Sequence, residues 1–329
     1  MEAIQIDLFR PEDAPGVARL FREVYGEGYP IRAYYDPARL IAENAAGRIL
    51  SNVARTPDGQ VVAHNALVLL DAGARLYENA AGAVLPAFRG QGIFFQVMEH
   101  SIREVARAFA VEEILGEPVC NHLQIQKMCL KLDYRETGLE VELMPAAAYS
   151  AKRSARGRVS VLLGYFRHRP MPQRVHLPPV YGEALGYLYS GLGLERAFAE
   201  AAEEALPVAG ESLGGLELFD FAQVARIAVE RIGADFEAFL ARQEGRAAEK
   251  ATEVFQLWLP LASPSVAAAA QILRRRGYFI GGLLPGGAGG DRLLMQKVRG
   301  ETDWEGIALY SERARQIAEI VRSDQQRAR

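Results

Sequence analysis

The chain has 329 residues, of which 50% are hydrophobic and 24% are charged, and its formal net charge is −3 at pH 7. This length predicts two domains, and the composition is typical of a soluble globular protein. The slightly acidic balance excludes a global positive field for nucleic acid, and the two cysteines give neither a disulfide framework nor a zinc pattern.

The N-terminal sequence "MEAIQIDLFRPEDA" is acidic and lacks the long apolar core of a signal peptide. The longest apolar run, "ALVLL" at residues 66 to 70, has the length of a strand and is too short to cross a bilayer. We therefore expect a cytoplasmic protein with reduced thiols and no contact with membranes.

The first half of the chain alternates between strand and helix patterns. "IQIDLF" predicts a strand, and "RPEDAPGVARLFREVYG" predicts a helix with Asp13 near its N-cap. A helix at residues 37 to 46, a hairpin at 48 to 70 and a strand at 74 to 85 follow. A helical stripe is then formed by Phe94, Met98, Ile102, Val105 and Phe109.

Three further elements complete this half. They are a strand in "AVEEILGEPV", a helix in "NHLQIQKMCLKL" that starts at Asn121, and a strand in "DYRETGLEVELMP". The basic "AKRSARGR" at residues 151 to 158 is then predicted to be a linker.

The second half repeats the strand, helix, strand order without matching residues. "VSVLLGYF" predicts a strand and "PVYGEALGYLYSGL" a helix, whereas "LELFDFAQVARIAVERI" mixes both patterns. After the strand "EVFQLWL", a helix should begin at Ser263-Pro264 and end at Gly277. The loop "GGAGGD" should be a flexible hairpin turn, and "WEGIALYSERARQIAEIVRSDQQRAR" should be a final helix with a frayed tail.

A basic glycine turn, Arg89-Gly90-Gln91-Gly92, lies between a predicted strand and a predicted helix. Glycines let successive N–H groups point at one place, and the helix N-terminus and Arg89 add positive charge there. The turn is therefore either an anion cradle suited to a pyrophosphate or simply a corner of the chain. It is not a P-loop, because no Lys-Ser/Thr follows it, and it lacks the third glycine of a dinucleotide fingerprint.

Together with its surroundings, "VLPAFRGQGI" resembles the coenzyme A pyrophosphate motif of the GNAT N-acetyltransferase superfamily. "NHLQIQKMCLKLDYRETG" resembles the second motif of that family, and "IDLFRPEDAPGVARLFREVY" resembles its first strand and helix. The resemblance covers residues 1 to about 146. It implies an α/β (α+β) fold, in which a mixed, splayed β-sheet is flanked by helices and acyl-CoA lies between the parting strands.

The resemblance also implies the residues that bind acyl-CoA. Backbone amides near Val84 and Leu85 would hold the pantetheine arm, and Asn121 would lie beside the thioester. The pyrophosphate would be wrapped by Arg89, Gly90, Gln91, Gly92 and Ile93. The chemistry would be direct acyl transfer to an amine, which needs a base, a group that polarises the carbonyl, and an acid for the thiolate.

The sequence departs from the family pattern at three places. Phe94 stands where the family has Gly or Ala, and Asp133-Tyr134 replaces a Gly-Phe pair. The helical Tyr that protonates the departing thiolate aligns with Cys129. Cys129 is either that acid or, within the apolar "MCL" run, a small core residue.

Several residues are candidates for the base and for the acceptor site. Glu78 and His122 are the preferred bases, and Glu117 and His64 are further candidates, although a lone histidine is more often structural. Three tyrosines of the first loop would either grip the acceptor or anchor the loop, namely Tyr25, Tyr29 and Tyr34.

We therefore expect an N-terminal GNAT domain over residues 1–150 and a degenerate GNAT-like lobe over residues 151–329 that holds no nucleotide. The expected activity is transfer of an acetyl or other acyl group from acetyl-CoA to a primary amine of a small molecule or protein. The alternative is an acyl-CoA-binding sensor that has lost its chemistry. No metal is expected, a homodimer is possible, and the acceptor stays open.

Overall fold

The computed structural model describes residues 4–146, 157–167, 172–199 and 205–328, so most of the predicted linker lies outside the described residues. The chain divides into two compact units. The first unit comprises Met1–Glu117, Lys131–Asp133 and Phe166–Arg169, and the second comprises Pro118–Leu130, Tyr134–Tyr165 and Pro170–Arg329.

This division differs from the predicted domain boundary at residue 150. The strand predicted to close the first half belongs to the second unit, because its side chains Leu139 and Val141 are buried in the core of that unit. Hydrophobic contacts between residues far apart in the sequence set the boundary between the units. The basic run at residues 151 to 158, which was predicted to be the linker, does not indicate where that boundary lies.

The first unit contains a mixed sheet with helices. In chain order its elements are β1 Gln5–Leu8, α1 Ala14–Tyr25, α2 Pro37–Ala45, β2 Ile49–Arg55, β3 Val61–Asp71, β4 Leu76–Val84, α3 Ile93–His100, the π-helical turn Ser101–Val105, α4 Ala106–Ala108 and β5 Glu113–Gly116. The strand order is β1-β2-β3-β4-β5. The pairs are antiparallel until β4, which pairs with β5 in parallel, so the predicted mixed α/β fold is confirmed.

Helix α1 forms because its apolar residues recur at helical spacing and bury one face. Val17, Leu20 and Phe21 are all buried in the core of the first unit. Asp13 does stand at the N-cap, but its side chain makes no cap bond. Its carboxylate instead accepts a 2.7 Å hydrogen bond from Arg55 Nε, so a buried ion pair joins the helix start to β2.

The apolar stripe of α3 differs from the predicted one. Phe109 is exposed, and Phe94 is only half-buried, whereas Ile93 and Val97 are buried. Met98, Ile102 and Val105 are buried as predicted, and Phe109 caps the end of α4 and so lies beyond the helical stripe.

The second unit contains the remaining elements. They are α5 Gln124–Lys131, β6 Arg135–Pro145, β7 Arg158–Arg167, β8 Gln173–Val175, α6 Gly182–Tyr189, β9 Arg196–Phe198, β10 Leu213–Phe219, β11 Val224–Arg231, α7 Phe236–Ala248, β12 Val254–Pro260, α8 Val266–Arg275, β13 Phe279–Leu284, β14 Arg292–Val298 and α9 Glu312–Ala328. Its main sheet has the order β7-β6-β13-β14-β12-β11-β10, and β8 pairs with β9 separately. Only β11 and β12 of the pairs described in this main sheet are parallel.

Two glycines make the contact between β6 and β13. Gly138 of β6 is the register partner of Gly282 of β13. A Cβ on Gly282 would lie 2.4 Å from the Gly138 Cα, and a Cβ on Gly138 would lie 2.8 Å from the Gly282 Cα. The strands approach so closely that neither position accepts a side chain.

The structure corrects three predicted helix starts and adds elements that the sequence left unassigned. The segment with mixed signals is the hairpin of β10 and β11, and α7 was not predicted at all. Helix α5 begins at Gln124 instead of Asn121, and α8 follows Ser265 instead of Ser263. Helix α9 begins only at Glu312, after a non-helical "WEGIALY". The predicted end at Gly277 is confirmed by its φ of +81°.

Within the described ranges, none of the helices combines the length and the apolar character that a membrane span needs.

Candidate functional site

The parallel strands β4 and β5 part soon after they begin to pair. Their register runs from Leu76 opposite Glu113 to Glu78 opposite Leu115, whereas β4 itself continues to Val84. Beyond Glu78, β4 has no further pairing with β5 among the described residues, and we call this edge, from Asn79 to Val84, the open edge or open stretch of β4. A splayed strand pair of this kind offers backbone donors and acceptors to a ligand.

A bulge in β4 lies within this open stretch. The register against β3 shifts between His64 and Ala66, and Ala81 has a φ of +56°, which is uncommon for a residue with a Cβ. The Ala81 carbonyl lies 2.8 Å from His64 Nδ1. His64 is fully buried, and burial lowers its pKa to about 4, so the ring is neutral and holds the bulge in place.

The backbone of β4 after the bulge has one edge on β3 and one edge toward the gap. The Leu85 N–H donates to the Val62 carbonyl at 2.9 Å, so this amide is not open to pantetheine as predicted. Successive residues of an antiparallel strand turn their N–H and C=O groups to opposite edges. The backbone N–H and C=O groups of Gly82 and Val84 therefore point away from β3. The Val84 carbonyl accepts a 3.2 Å bond from Arg89 Nε, and the Gly82 carbonyl accepts one from the Tyr25 hydroxyl.

The basic glycine turn connects this open edge to α3. Gly90 and Gly92 have φ of +79° and +77°, which only glycine adopts at little cost, and Gly92 is the N-cap of α3. A Cβ at Gly90 would meet nothing within 4 Å, and one at Gly92 would meet only Gln96 Nε2, at 3.9 Å. The turn therefore faces open space, with the exposed Arg89 beside a helix N-terminus.

Phe94, which departs from the pattern of the family that the sequence resembles, packs against Gly82. A Cβ on Gly82 would lie 2.5 Å from the Phe94 ring. The ring therefore lies directly against the backbone of the open stretch of β4. The aromatic ring of Phe94 fits against the backbone at Gly82 because glycine has no side chain there.

The three candidate tyrosines lie in one aromatic cluster around Phe21. Tyr34 is fully buried and stacks on Phe21 with centroids 4.5 Å apart, so its ring has no surface for an acceptor. Tyr25 and Tyr29 are half-buried, with ring centroids 5.0 Å apart. Of the three, only Tyr25 and Tyr29 keep surface that an acceptor could contact.

Glu78 occupies the last paired position before the strands part. The Glu78 side chain is half-buried. Burial raises the pKa of Tyr34, and the negative charge of Glu78 raises that pKa further. The structure thus brings Glu78 close to the aromatic cluster in the first unit. Tyr25, Glu78 and Arg89 all surround the same open stretch of β4.

The other predicted site residues lie in the second unit, around the start of α5. Asn121 and His122 are half-buried and precede the helix, where the His122 carbonyl accepts a 3.3 Å bond from Gln126 Nε2. Cys129 is only 6% exposed. Burial, and then the charge of Glu136, raise the pKa of its thiol to about 12, which suits a packing role.

The glycine-rich loop before β14 is anchored instead of flexible. Asp291 is buried, and its carboxylate accepts bonds from Tyr189 Oη at 2.7 Å, Arg196 at 2.9 Å and the Gly286 N–H at 2.7 Å. Among the residues that the structure describes, no group of three or more His, Cys, Asp or Glu side chains is placed to hold a metal ion.

Solved structures that are similar to this chain are acetyltransferases. A ribosomal-protein alanine acetyltransferase from Vibrio fischeri is 12% identical with a TM-score of 0.41, covering 51% of this chain and 94% of its own. One from Escherichia coli is 16% identical with a TM-score of 0.39, covering 50% and 94%. A variant spermidine N-acetyltransferase from Vibrio cholerae is 12% identical with a TM-score of 0.40, covering 50% and 93%.

Another similar structure carries the name of the GNAT family, the family that the sequence resembles. No family model matches the chain. No curated protein matches it either.

Proposed function

We propose that the protein is an acyl-CoA-dependent N-acyltransferase that binds acetyl-CoA in its first unit. The observation that carries this proposal is the early parting of β4 from β5, combined with the glycine turn at the end of the open strand. A ligand that fits both needs a polar chain with amide groups and an anionic end, which is the chemistry of pantetheine pyrophosphate.

The pyrophosphate would lie at the turn, beside Arg89 and the backbone N–H groups of Gly90 to Ile93. Positive φ at both glycines is compatible with N–H groups that point outward, and the space in front of them is open. Charge-assisted hydrogen bonds of this kind contribute roughly 1.5 to 3 kcal/mol each. The side chain of Ile93 is buried, so Ile93 would contact the pyrophosphate through its backbone N–H and not through its side chain.

The pantetheine arm would run along the open edge of β4. The carbonyls of Gly82 and Val84 are the acceptors there for its amide N–H groups, after the donors that now hold them move aside. This use of Val84 agrees with the family resemblance, and it moves the second contact from Leu85 to Gly82.

Glu78 is the base that this geometry favours. It stands where the strands part, and it belongs to the same unit as the glycine turn. A carboxylate there would take the proton from the attacking amine, directly or through water. Asn121 remains a proposed partner of the thioester end on the strength of the resemblance alone, and His122 remains a candidate base. The acceptor is proposed to be a primary amine of a small molecule or a protein, contacted by Tyr25 and Tyr29.

The first test is release of free thiol from acetyl-CoA with a panel of amines, together with calorimetry of CoA binding. We expect turnover with at least one amine and one CoA per chain. Binding without turnover for any amine would instead support the sensor function, and two CoA sites per chain would contradict the assignment of the site to one unit.

The matched variants are Gly92→Val and Gly59→Val. Both glycines have positive φ and open surroundings, so both changes introduce similar backbone strain. Only Gly92 belongs to the proposed cradle. We expect CoA affinity to fall at least tenfold in Gly92→Val and to stay unchanged in Gly59→Val. Equal affinity in the two folded variants would overturn the pyrophosphate site.

A further inference from the structure

Acyl transfer from a thioester leaves a thiolate, and the proton for its sulfur must come from a nearby acid. Cys129, which aligns with the family acid, is a poor source. Its side chain is nearly inaccessible, and its burial in the second unit favours a core role. A proton donor is therefore expected among the groups at the open edge of β4 in the first unit.

Tyr25 places a hydroxyl at this edge. Helix α1 ends at this residue, and the Tyr25 hydroxyl donates to the Gly82 carbonyl. That carbonyl points away from β3, toward the gap that β5 leaves. Tyr25 is half-buried, so its O–H is protected from bulk water without being sealed into the core.

The length of the ligand brings the sulfur to the same place. The pantetheine arm of CoA, from phosphate to sulfur, spans about as much as five extended residues. If the pyrophosphate lies at the turn that follows β4, five extended residues counted back from the strand end at Val84 reach Ala80, so the thioester would lie beside the stretch from Ala80 to Gly82. The Tyr25 hydroxyl is already bonded to this stretch.

The surroundings suit a phenol that donates a proton and recovers it. Burial raises the pKa of Tyr25 to about 12, so the hydroxyl is protonated at neutral pH. The positive charge of Arg89 acts in the opposite direction and stabilises a phenolate. The same arginine would thus contact the pyrophosphate and support the acid.

We propose that the Tyr25 hydroxyl donates the proton to the sulfur that leaves acyl-CoA, an assignment that rests on the proposed function. The amine nitrogen forms a bond to the thioester carbon, and the base removes a proton from that nitrogen. The C–S bond then breaks with its electron pair on sulfur, which takes the Tyr25 proton. Tyr25 is reprotonated from the conjugate acid of the base through water.

The test compares Tyr25→Phe with Tyr77→Phe. Both changes remove one tyrosine hydroxyl that donates to a glycine carbonyl in the first unit, and the Tyr77 bond to Gly47 lies outside the open stretch. With acetyl-CoA and the best amine of the panel, we expect kcat to fall about 10²-fold in Tyr25→Phe while KM for acetyl-CoA changes little. Tyr77→Phe should keep the wild-type kcat.

The decisive measurement uses the selenium analogue of acetyl-CoA, whose selenolate leaves without a proton. Tyr25→Phe should then regain a rate within a few-fold of the wild type. If Tyr25→Phe lost kcat equally with acetyl-CoA and with its selenium analogue, the assignment would be overturned. A wild-type kcat of Tyr25→Phe with acetyl-CoA would overturn it as well. Absence of turnover by the wild-type protein with every amine would instead overturn the proposed function, and this assignment with it.

Discussion

The main sheet of each unit contains one described parallel strand pair whose strands are joined through helix, and the two pairs end differently. In the first unit β4 and β5 pair only from Leu76 to Glu78 on the β4 side. In the second unit β11 and β12 stay paired from Val224 to Ala228, where the partner is Trp258. The same supersecondary unit is therefore open in one place and closed in the other.

The turn that follows β4 and the turn that follows β11 also differ in how much space they leave for a ligand. At the first turn Gly92 faces open space and Arg89 stands beside it. At the second turn a Cβ on Gly233 would lie 2.4 Å from the backbone of Ser212, and Asp235 brings negative charge to the helix start. The first glycine leaves room for a ligand, whereas the second leaves room for the protein's own backbone.

This contrast shows why a glycine after a strand does not by itself indicate an anion site. The distinguishing features are positive φ with empty surroundings, a cation instead of a carboxylate, and a neighbouring strand that has parted. All of them occur together in the first unit. On this basis the second unit is proposed to bind no CoA.

The largest effect that we expect is a loss of stability of the first unit in acid. His64 holds the bulge of β4, and its pKa of about 4 lies below its ordinary value of 6.5. Because the unfolded state binds the proton more readily, this stability is complete above pH 6.5 and is lost as the pH falls toward 4. The loss should reach about 2 to 3 kcal/mol at pH 4.5.

Denaturant unfolding of the wild type and of His64→Gln at pH 7.5 and 4.5 measures this effect. The glutamine amide keeps a donor for the Ala81 carbonyl and cannot be protonated in this range. All other titrating groups are common to both proteins. An equal pH dependence of the two proteins would show that His64 is not the group that links acid to the parted strands.

A second expected effect sharpens the contrast between the turns. Gly233→Ala forces a methyl group against the backbone of Glu211 and Ser212, which should lower the free energy of unfolding by about 2 kcal/mol. CoA affinity should not change, which is the opposite of the result expected for Gly92→Val. The control is Gly245→Ala within α7, where a Cβ meets nothing and helix propensity should increase stability slightly.

A third expected effect concerns the contact of Phe94 with the open strand. Gly82→Ala should cost about 1 kcal/mol, because its Cβ would collide with the Phe94 ring. Adding Phe94→Leu should recover part of that loss, and a double-mutant cycle measured by denaturant unfolding gives the coupling. Strictly additive effects of the two changes would mean that the ring and the strand do not depend on each other.

The smallest expected effect is a gain at the bulge. Ala81→Gly relieves a positive φ and should stabilise the protein by less than about 1 kcal/mol. Ala110→Gly, at a φ of +50° in an exposed turn, is its control for stability. We expect both to raise the midpoint of unfolding, and only Ala81→Gly to change CoA affinity. Unchanged affinity in Ala81→Gly would separate the bulge from the ligand site.

Much of the candidate site was accessible from the sequence because it depends on local geometry. A strand, two glycines and a helix start are encoded within residues 83 to 102, and the structure has these elements in that order. The roles of individual side chains were less accessible. Tyr34 is fully buried beside Phe21, and Phe94 lies on Gly82, since each depends on a partner distant in the sequence.

The sequence by itself determined the mixed α/β class, the position of the glycine turn and the order of most strands and helices. These follow from residue periodicity and from the backbone freedom of glycine, which act over a few residues. Only the tertiary structure decided the boundary of the two units, the parting of β4 from β5 and the bond from Tyr25 to Gly82. Each of these depends on contacts between distant segments, and their free energy has no signature in any single stretch of the chain.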